Sequence, residues 1–504
     1  MLIDKIEWKK ILILLGIFLG LELLSYFSFF STNLHLIVFL ITALSFLVLS
    51  LYKLQYALLA IFAELIIGSM GHLFFLEISN FRLSLRISFW LIILVVFLIK
   101  FISQLFKEGK LSPYLQKIKD FKFLKVFLLF SIFLVIALVQ GLVNTGSFSS
   151  VFKDFNAWLF FLLLFPLVAV FDFRDQKFIS SLKVVILAAL IWLSLKTLIF
   201  LAIFSHSLDI GVDVYPWLRK NLMAEVTISG FWSRIFIQSQ IFSAIGFLFT
   251  FCLRIFKKGK FFTKDNLITL LLSALFFSTL ILSLSRSFWL AFVVVIFLML
   301  IYFWRFLGFK KVLLSIAWLF ASLITSLVLI YLVTILPLSA SGNASLNKGL
   351  IDRITQDNEP ALASRWSLLP VLWQEIVKAP ILGSGFGSKL TYISQDPRVL
   401  EVNPSGEYST SAFEWGYLDM WFKLGLIGLL VYLFLIFKIF IAGFKDAASN
   451  NGIFIGISFS ILFLAIVHFF TPYLNHPLGI SILMLSACII QENKVYLNTN
   501  KNNN

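Results

Sequence analysis

The sequence predicts an all-α polytopic membrane protein of about 12–14 transmembrane helices, with one long extracytoplasmic loop that contains short amphipathic helices. Three observations lead there. Of the 504 residues, 60% are hydrophobic and 13% charged, and the mean hydropathy is +0.98. Soluble domains lie nearer half apolar and a quarter charged. Apolar runs of spanning length recur along the whole chain, and at roughly 20 residues per span fourteen of them use about 280 residues, close to the hydrophobic share. Ten-residue strands of alternating polarity, the mark of an outer-membrane barrel, are absent. The aromatic share of 17%, with 60 Phe, suits lipid-facing and interfacial surface.

The runs lie near 11–30, 34–52, 54–76, 84–104, 124–143, 156–171 and 183–205. They continue near 235–255, 266–284, 288–304, 313–337, 415–437, 453–470 and 477–490. The first follows Lys5, Lys9 and Lys10 and continues to about Phe30 with no small-residue cleavage pattern, so it reads as an uncleaved span. The segments between runs alternate in chemistry. KEGKLSPYLQKIKDFKFLK (107–125), FRDQK (173–177), RIFKKGKFFTK (254–264) and RFLGFKK (305–311) are basic. NTGSFSS (144–150), SHSLDIGVDVYP (206–216) and TPYLNHP (471–477) hold few cations.

Cations are retained on the cytoplasmic side, so the basic set is cytoplasmic and both termini lie inside. The cytoplasmic segments then hold 26 of the 41 Lys and Arg with nine acids, and the remainder holds 15 with 16. The net charge of +16 is therefore an orientation signal and not a nucleic-acid footprint. Cys252 and Cys488 both fall in apolar runs, which excludes a disulfide framework and a cysteine zinc site.

Polarity divides the chain into N-terminal transmembrane helices over 1–224, a central unit over 225–437, C-terminal helices over 438–490 and a disordered cytoplasmic tail over 491–504. The central unit contains the only long hydrophilic insertion, 338–413. It begins as loop (SASGNASLNKGLIDRITQDNEP). In ASRWSLLPVLWQEIVKAP, Trp366, Leu369, Trp373, Ile376 and Val377 then share one helical face, with Arg365 at the start and an end near Lys378 before Pro380. ILGSGFGS (381–388) supplies glycines for left-handed or closely approached backbone. No strand precedes Gly383, Gly385 and Gly387, so they form no dinucleotide fingerprint.

Four charged positions share the extracytoplasmic boundary. Arg234 opens a span in GFWSRIFIQSQ, Arg286 sits at a tight hairpin tip in LSLSRSFWL, Arg365 begins the amphipathic helix, and Glu414 stands where the loop re-enters the membrane. Arginine presents a fixed fork of donors that suits phosphate oxygens. Three such forks facing one cavity hold a pyrophosphate and stabilise it as a leaving group. The same residues also fit plainer roles, as headgroup anchors for the arginines and as a helix cap for Glu414. Glu22, Glu64 and Lys196 lie within spans and read as mutual partners or cavity lining. His206, His468 and His476 do not space as a metal site, and no DxD or phosphate-cradling lysine loop appears. No metal or other cofactor is expected.

Three segments resemble the O-antigen ligase and polymerase superfamily of bacterial envelope glycosyltransferases. TLILSLSRSFWLAFVVVIFLM (279–299) looks like its Ser-Arg hairpin. In 363–388, Arg365, then Pro380, then Gly383 and Gly385 follow its loop pattern. GYLDMWFKLGLIGLL (416–430) looks like its re-entry motif, through Tyr417, Leu418, Gly425, Leu426, Ile427 and Gly428. Arg234-Ile235 is a fourth, weaker likeness.

The resemblance implies a nucleotide-independent reaction at the extracytoplasmic face of the bacterial cytoplasmic (inner) membrane. A glycan passes from a polyprenyl-pyrophosphate carrier to an acceptor hydroxyl on a glycan, lipid or protein, with arginines holding the pyrophosphate. The family usually places a His-Asn pair three residues before the Tyr-Leu of the re-entry motif. Here those positions are Glu414 and Trp415. The expectation is that Glu414 takes the place of general base, its pKa raised at the membrane edge. A lipid-linked-glycan flippase or an inactive assembly scaffold are the competing classes. A transporter calls for repeat symmetry and midplane polarity, whereas here polarity gathers in one external loop.

Overall fold

A computed structural model describes residues 7–78, 81–108, 112–172, 175–229, 232–257, 263–336, 360–446 and 452–502. The loop start expected over 338–359 lies outside them. Each of the fourteen apolar runs is helical for all or most of its length. Ten helices among the described residues are long and apolar enough to cross a membrane, and a bent pair, Phe148–Phe155 with Trp158–Val170, makes an eleventh if counted as one span. The protein is an all-α polytopic membrane protein.

Helices α1 (Trp8–Phe29) and α2 (Thr32–Tyr52) form a hairpin, its turn closed by the Ser31 hydroxyl accepting from Leu34 N at 3.4 Å. Helix α3 (Leu54–Ile67) has only 14 residues, about 21 Å at 1.5 Å per residue, so it stops short of spanning a hydrocarbon core. The run over 54–76 is therefore not one span, because Gly68–Gly71 turn the chain into a hairpin of β1 (Phe75–Ile78) and β2 (Phe81–Ser84).

The bundle continues through α4 (Leu85–Glu108), α5 (Pro113–Lys119), α6 (Leu124–Thr145), α7 (Phe148–Phe155), α8 (Leu164–Val170) and α9 (Gln176–Ser205). Next come α10 (Ile210–Trp217) and a second antiparallel hairpin, β3 (Glu225–Ser229) with β4 (Trp232–Phe236). Helices α11 (Ile241–Phe256), α12 (Lys264–Leu282), α13 (Arg286–Leu307) and α14 (Phe309–Ile335) follow.

The long loop contributes α15 (Pro360–Lys378), a hairpin of β5 (Leu390–Ile393) and β6 (Glu407–Thr410), and α16 (Pro397–Val402) between those strands. Helices α17 (Gly416–Asp446), α18 (Gly452–His468) and α19 (Pro477–Asn502) close the chain. Helix α19 runs through the segment read from sequence as a disordered tail. The three β-hairpins were not expected. Their strands are four or five residues long, too short to leave a periodicity that survives beside the helical runs.

Small residues and hydroxyls join the helices, as expected where lipid removes the hydrophobic drive for association. Ser273 donates to Thr250 across α12 and α11 at 3.0 Å, and Ser326 of α14 donates to Ala274 O at 2.8 Å. Tyr432 of α17 stacks on Phe130 of α6 at 4.5 Å and donates to Leu474 O at 2.6 Å.

The in-span charges find partners, though not all the expected ones. Lys196 binds Glu22 at 2.6 Å, while Glu64 is held by both ends of the Arg86 fork at 2.8 and 3.1 Å. Both cations also serve the abrupt end of α3. Lys196 donates to Ile67 O at 2.5 Å and Arg86 to Ser69 O at 2.6 Å. Carbonyls at a helix end have no intrahelical partner, and membrane depth offers little water. Two cations at the negative end of the helix dipole satisfy them.

Candidate functional site

The re-entry segment and the long loop build one structure. Along α15, Leu368, Leu372 and Ile376 recur every four residues and are at most 2% exposed. They pack against Leu390, Phe413 and Phe422. The sequence-predicted face is mostly the other one, since Trp366, Trp373 and Val377 are about half exposed. Only Ile376 of that expected set lies in the buried stripe. Both faces are apolar, so periodicity alone did not choose between them. The helix ends at Lys378 as its sequence predicts, but it begins at Pro360, so Arg365 lies inside it rather than at its start.

Beyond α15 the glycine segment threads into a break in α17. Gly425 has φ +71° and ψ 173°, a non-helical conformation that interrupts the ladder. The segment replaces the lost partners. Ser384 N donates to Phe422 O at 2.7 Å and Gly385 N to Lys423 O at 3.2 Å. In return, Leu426 N donates to Pro380 O at 2.9 Å, and Trp421 Nε1 donates to the same carbonyl at 2.9 Å. Such exchange lets a broken helix persist at membrane depth.

The approach is backbone on backbone. A Cβ at Gly383 would lie 2.6 Å from Lys423 O, and one at Gly385 would lie 2.7 Å from Gly141 Cα in α6. Gly428 admits α6 more gently, with Phe133 Cβ 3.4 Å from where its own Cβ would be. Pro380, Gly383, Gly385 and Gly425 thus meet at one place, with Gly428 one turn on.

Beneath that junction lies a charge cluster. Lys423 Nζ binds Asp154 of α7 at 2.6 Å and Asp419, one turn earlier in α17, at 2.7 Å. Asp154 also accepts from Gly387 N at 2.9 Å, and Asp419 accepts from Asn475 at 2.9 Å. The cluster therefore ties the glycine segment, α7, α17 and the 471–477 turn together. Lys423 and Asp419 are at most 4% exposed.

The four charged positions gather at the same end of the bundle. Glu414 forms an ion pair with Arg365 Nε, and Trp415 Nε1 donates to Arg365 O at 3.0 Å. Trp415 also lies against Phe470 with ring centroids 6.1 Å apart. The next residue, Thr471, reaches Ser287 Oγ at 3.2 Å, beside Arg286 at the first position of α13. Arg234 Nε donates to Ser283 O in that same turn at 3.1 Å, and its Nη1 lies 3.4 Å from Glu225. Arg365 and Glu414 thus stand on one side of the 470–471 segment and the Arg286 turn, with Arg234 against it, on the other. In that turn Leu284 adopts φ +44°, a strained conformation for a branched residue, which tends to mark functional turns.

Two placements differ from the sequence expectation. Arg234 lies on strand β4, ahead of the helix it was expected to open. Glu414 is 51% exposed and ion-paired with Arg365, not set in the dry membrane edge that was expected. Of the histidines on this end, His206 bonds Val333 O at 3.1 Å and His468 Nδ1 accepts from Leu474 N at 3.2 Å. Burial, then Arg82 and Arg86, pushes His72 down to about 4, so it stays neutral near pH 7.

Asp154, Asp419, Asn475 and Glu225 escaped the sequence reading. The four-residue step from Asp419 to Lys423 was a usable signal. The partnership with Asp154, 269 residues away, was not.

No curated protein matches the chain. Residues 271–433 match the family model described as O-Antigen ligase. That stretch contains the Ser-Arg turn, α15, the glycine segment and the broken re-entry helix, and over it the chain carries a domain of the O-antigen ligase superfamily.

Proposed function

We propose that this protein is a membrane glycosyltransferase of the O-antigen ligase or polymerase type, which moves a glycan from a polyprenyl-pyrophosphate carrier to an acceptor hydroxyl. The reaction takes place at the extracytoplasmic face of a bacterial inner membrane, with both termini cytoplasmic. The acceptor is a glycan, a lipid or a protein side chain. The observation that supports this reading is the series of contacts that links Arg234 to the Arg286 turn through Ser283, and that turn to Arg365 and Glu414 through Ser287, Thr471, Phe470 and Trp415.

In the proposed step the acceptor oxygen attacks the anomeric carbon of the carrier-bound sugar and gives its proton to Glu414. The bond from that carbon to the pyrophosphate oxygen breaks, and its electron pair leaves on the pyrophosphate. Guanidinium groups aimed at those oxygens stabilise the developing charge. Lys423, Asp154 and the glycine segment act at one remove, by fixing where α17 begins.

Purified protein in liposomes with lipid-linked glycan is expected to transfer or lengthen the glycan. Flipping of the donor without transfer would overturn the enzyme reading. Arg286→Ala and Arg365→Ala are each expected to weaken donor binding by roughly ten- to a hundredfold, the worth of charged hydrogen bonds. Should both leave transfer intact, the pyrophosphate clamp is wrong. Glu414→Gln is expected to slow transfer by about a hundredfold or more, as the loss of a general base does. A wild-type rate in that variant removes the assignment.

A further inference from the structure

Arg365 is asked to serve two anions. Its Nε is held by the Glu414 carboxylate, and contacts of the neighbouring tryptophans support the pairing. Trp415 Nε1 donates to Arg365 O at 3.0 Å, and Trp366 meets Trp415 edge-on at 5.5 Å, so neighbours on both segments hold the two groups in register. With side chains 37% and 51% exposed, both groups are reachable by a ligand. A guanidinium grips paired oxygens through adjacent N–H groups. With Nε given to a carboxylate, the edge made by Nε and the neighbouring Nη is closed to a phosphate, and the remaining charge of the fork is shared with Glu414.

Arg234 repeats the arrangement. Its Nη1 faces Glu225 at 3.4 Å, and the same carboxylate lies 3.7 Å from Arg219. Two of the three arginines in the proposed clamp therefore carry a glutamate.

We propose that Glu414 and the pyrophosphate group of the donor compete for Arg365, so that donor binding is what releases Glu414 to work as a base. The inference rests on the glycosyltransferase reading and adds an order to it, with the donor binding before the acceptor can be deprotonated. A carboxylate held by a guanidinium is a poorer proton acceptor than the same carboxylate released from it. Pyrophosphate, with more charge and more oxygens, takes the fork from it. Premature attack by water is suppressed by the same contact, because no free base stands in the site until the leaving group is held. Glu225 competes for Arg234 in the same sense.

The test is equilibrium binding of inorganic pyrophosphate and of farnesyl pyrophosphate to the full-length protein in lipid nanodiscs, with glycan transfer measured in parallel. Removing an internal competitor strengthens binding, so Glu414→Gln is expected to bind both probes about two- to fivefold more tightly, the scale of one exposed ion pair. Glu225→Gln is expected to shift affinity in the same direction. In an Arg365→Gln background the gain from Glu414→Gln is expected to vanish. Unchanged or weaker binding by Glu414→Gln overturns the competition, whatever the transfer assay gives. So does a gain that persists without Arg365. A Glu414→Gln protein that transfers at the wild-type rate overturns the base assignment alone, whatever the binding assay gives.

Discussion

Lys423→Met is expected to unfold at a much lower temperature than the wild-type protein. The lysine is the shared cation of Asp154 and Asp419, at 2.6 and 2.7 Å, and is 4% exposed. Without it two carboxylates, one buried and one mostly so, are left with no counter-ion, and breaking a buried pair in this way costs about 3–5 kcal/mol. The loss spreads beyond α17, because Asp154 also holds Gly387 N and Asp419 holds Asn475. Thermal unfolding of the detergent-solubilised protein measures it. The triple change Asp154→Asn, Asp419→Asn, Lys423→Met is expected to recover much of the stability, since it removes both stranded charges. A single Lys423→Met variant that melts with wild type would show that the cluster holds nothing together.

Gly425→Ala is expected to disrupt the re-entry segment and abolish transfer with it. Two effects add. At φ +71° and ψ 173° the residue occupies a region that is nearly glycine-only, at a cost of about 1–3 kcal/mol for other residues. A methyl group would also lie 2.5 Å from the carbonyl carbons of Ile381 and Leu382, which are backbone and cannot rotate away. Overpacking of this kind adds about 1–3 kcal/mol. Gly308→Ala supplies the comparison. Gly308 has φ +86° and ψ 165°, but nothing lies within 4 Å of its would-be Cβ. It therefore carries the strain without the collision, and is expected to be clearly less destabilised than Gly425→Ala in the same unfolding measurement. Equal losses would show that the glycine segment does not dock where α17 breaks.

The contrast between these two glycines also shows what a sequence can and cannot convey. The run of glycines over 383–387 announces unusual backbone through composition alone, and all three have positive φ. That Gly385 abuts Gly141 is a relation between segments 244 residues apart, with no local trace. Hydropathy located the apolar runs because lipid exposure imposes one chemistry on the whole length of a helix. It could not separate α3 from the turn behind it, since Leu73, Phe74 and Phe75 are as apolar as the helix they follow. Charge read well where charges are rare. Arg365 and Glu414 stood out as polar positions at one boundary, and they meet in the fold. Asp154 stood in a short polar turn where an aspartate is ordinary, so nothing marked it as the partner of Lys423.

The buried pair between Glu22 and Lys196 bears on how the chain is made. The two residues are 174 positions apart. At typical elongation rates of about 5–20 residues per second, the ribosome takes roughly 10–35 s to deliver the lysine after the glutamate. During that interval α1 and then α3 are completed, while the cation that neutralises Glu22 and caps Ile67 O does not yet exist. The early helices therefore complete their association only when α9 arrives, and until then the nascent chain depends on the insertion machinery to shelter an unmatched carboxyl group from lipid.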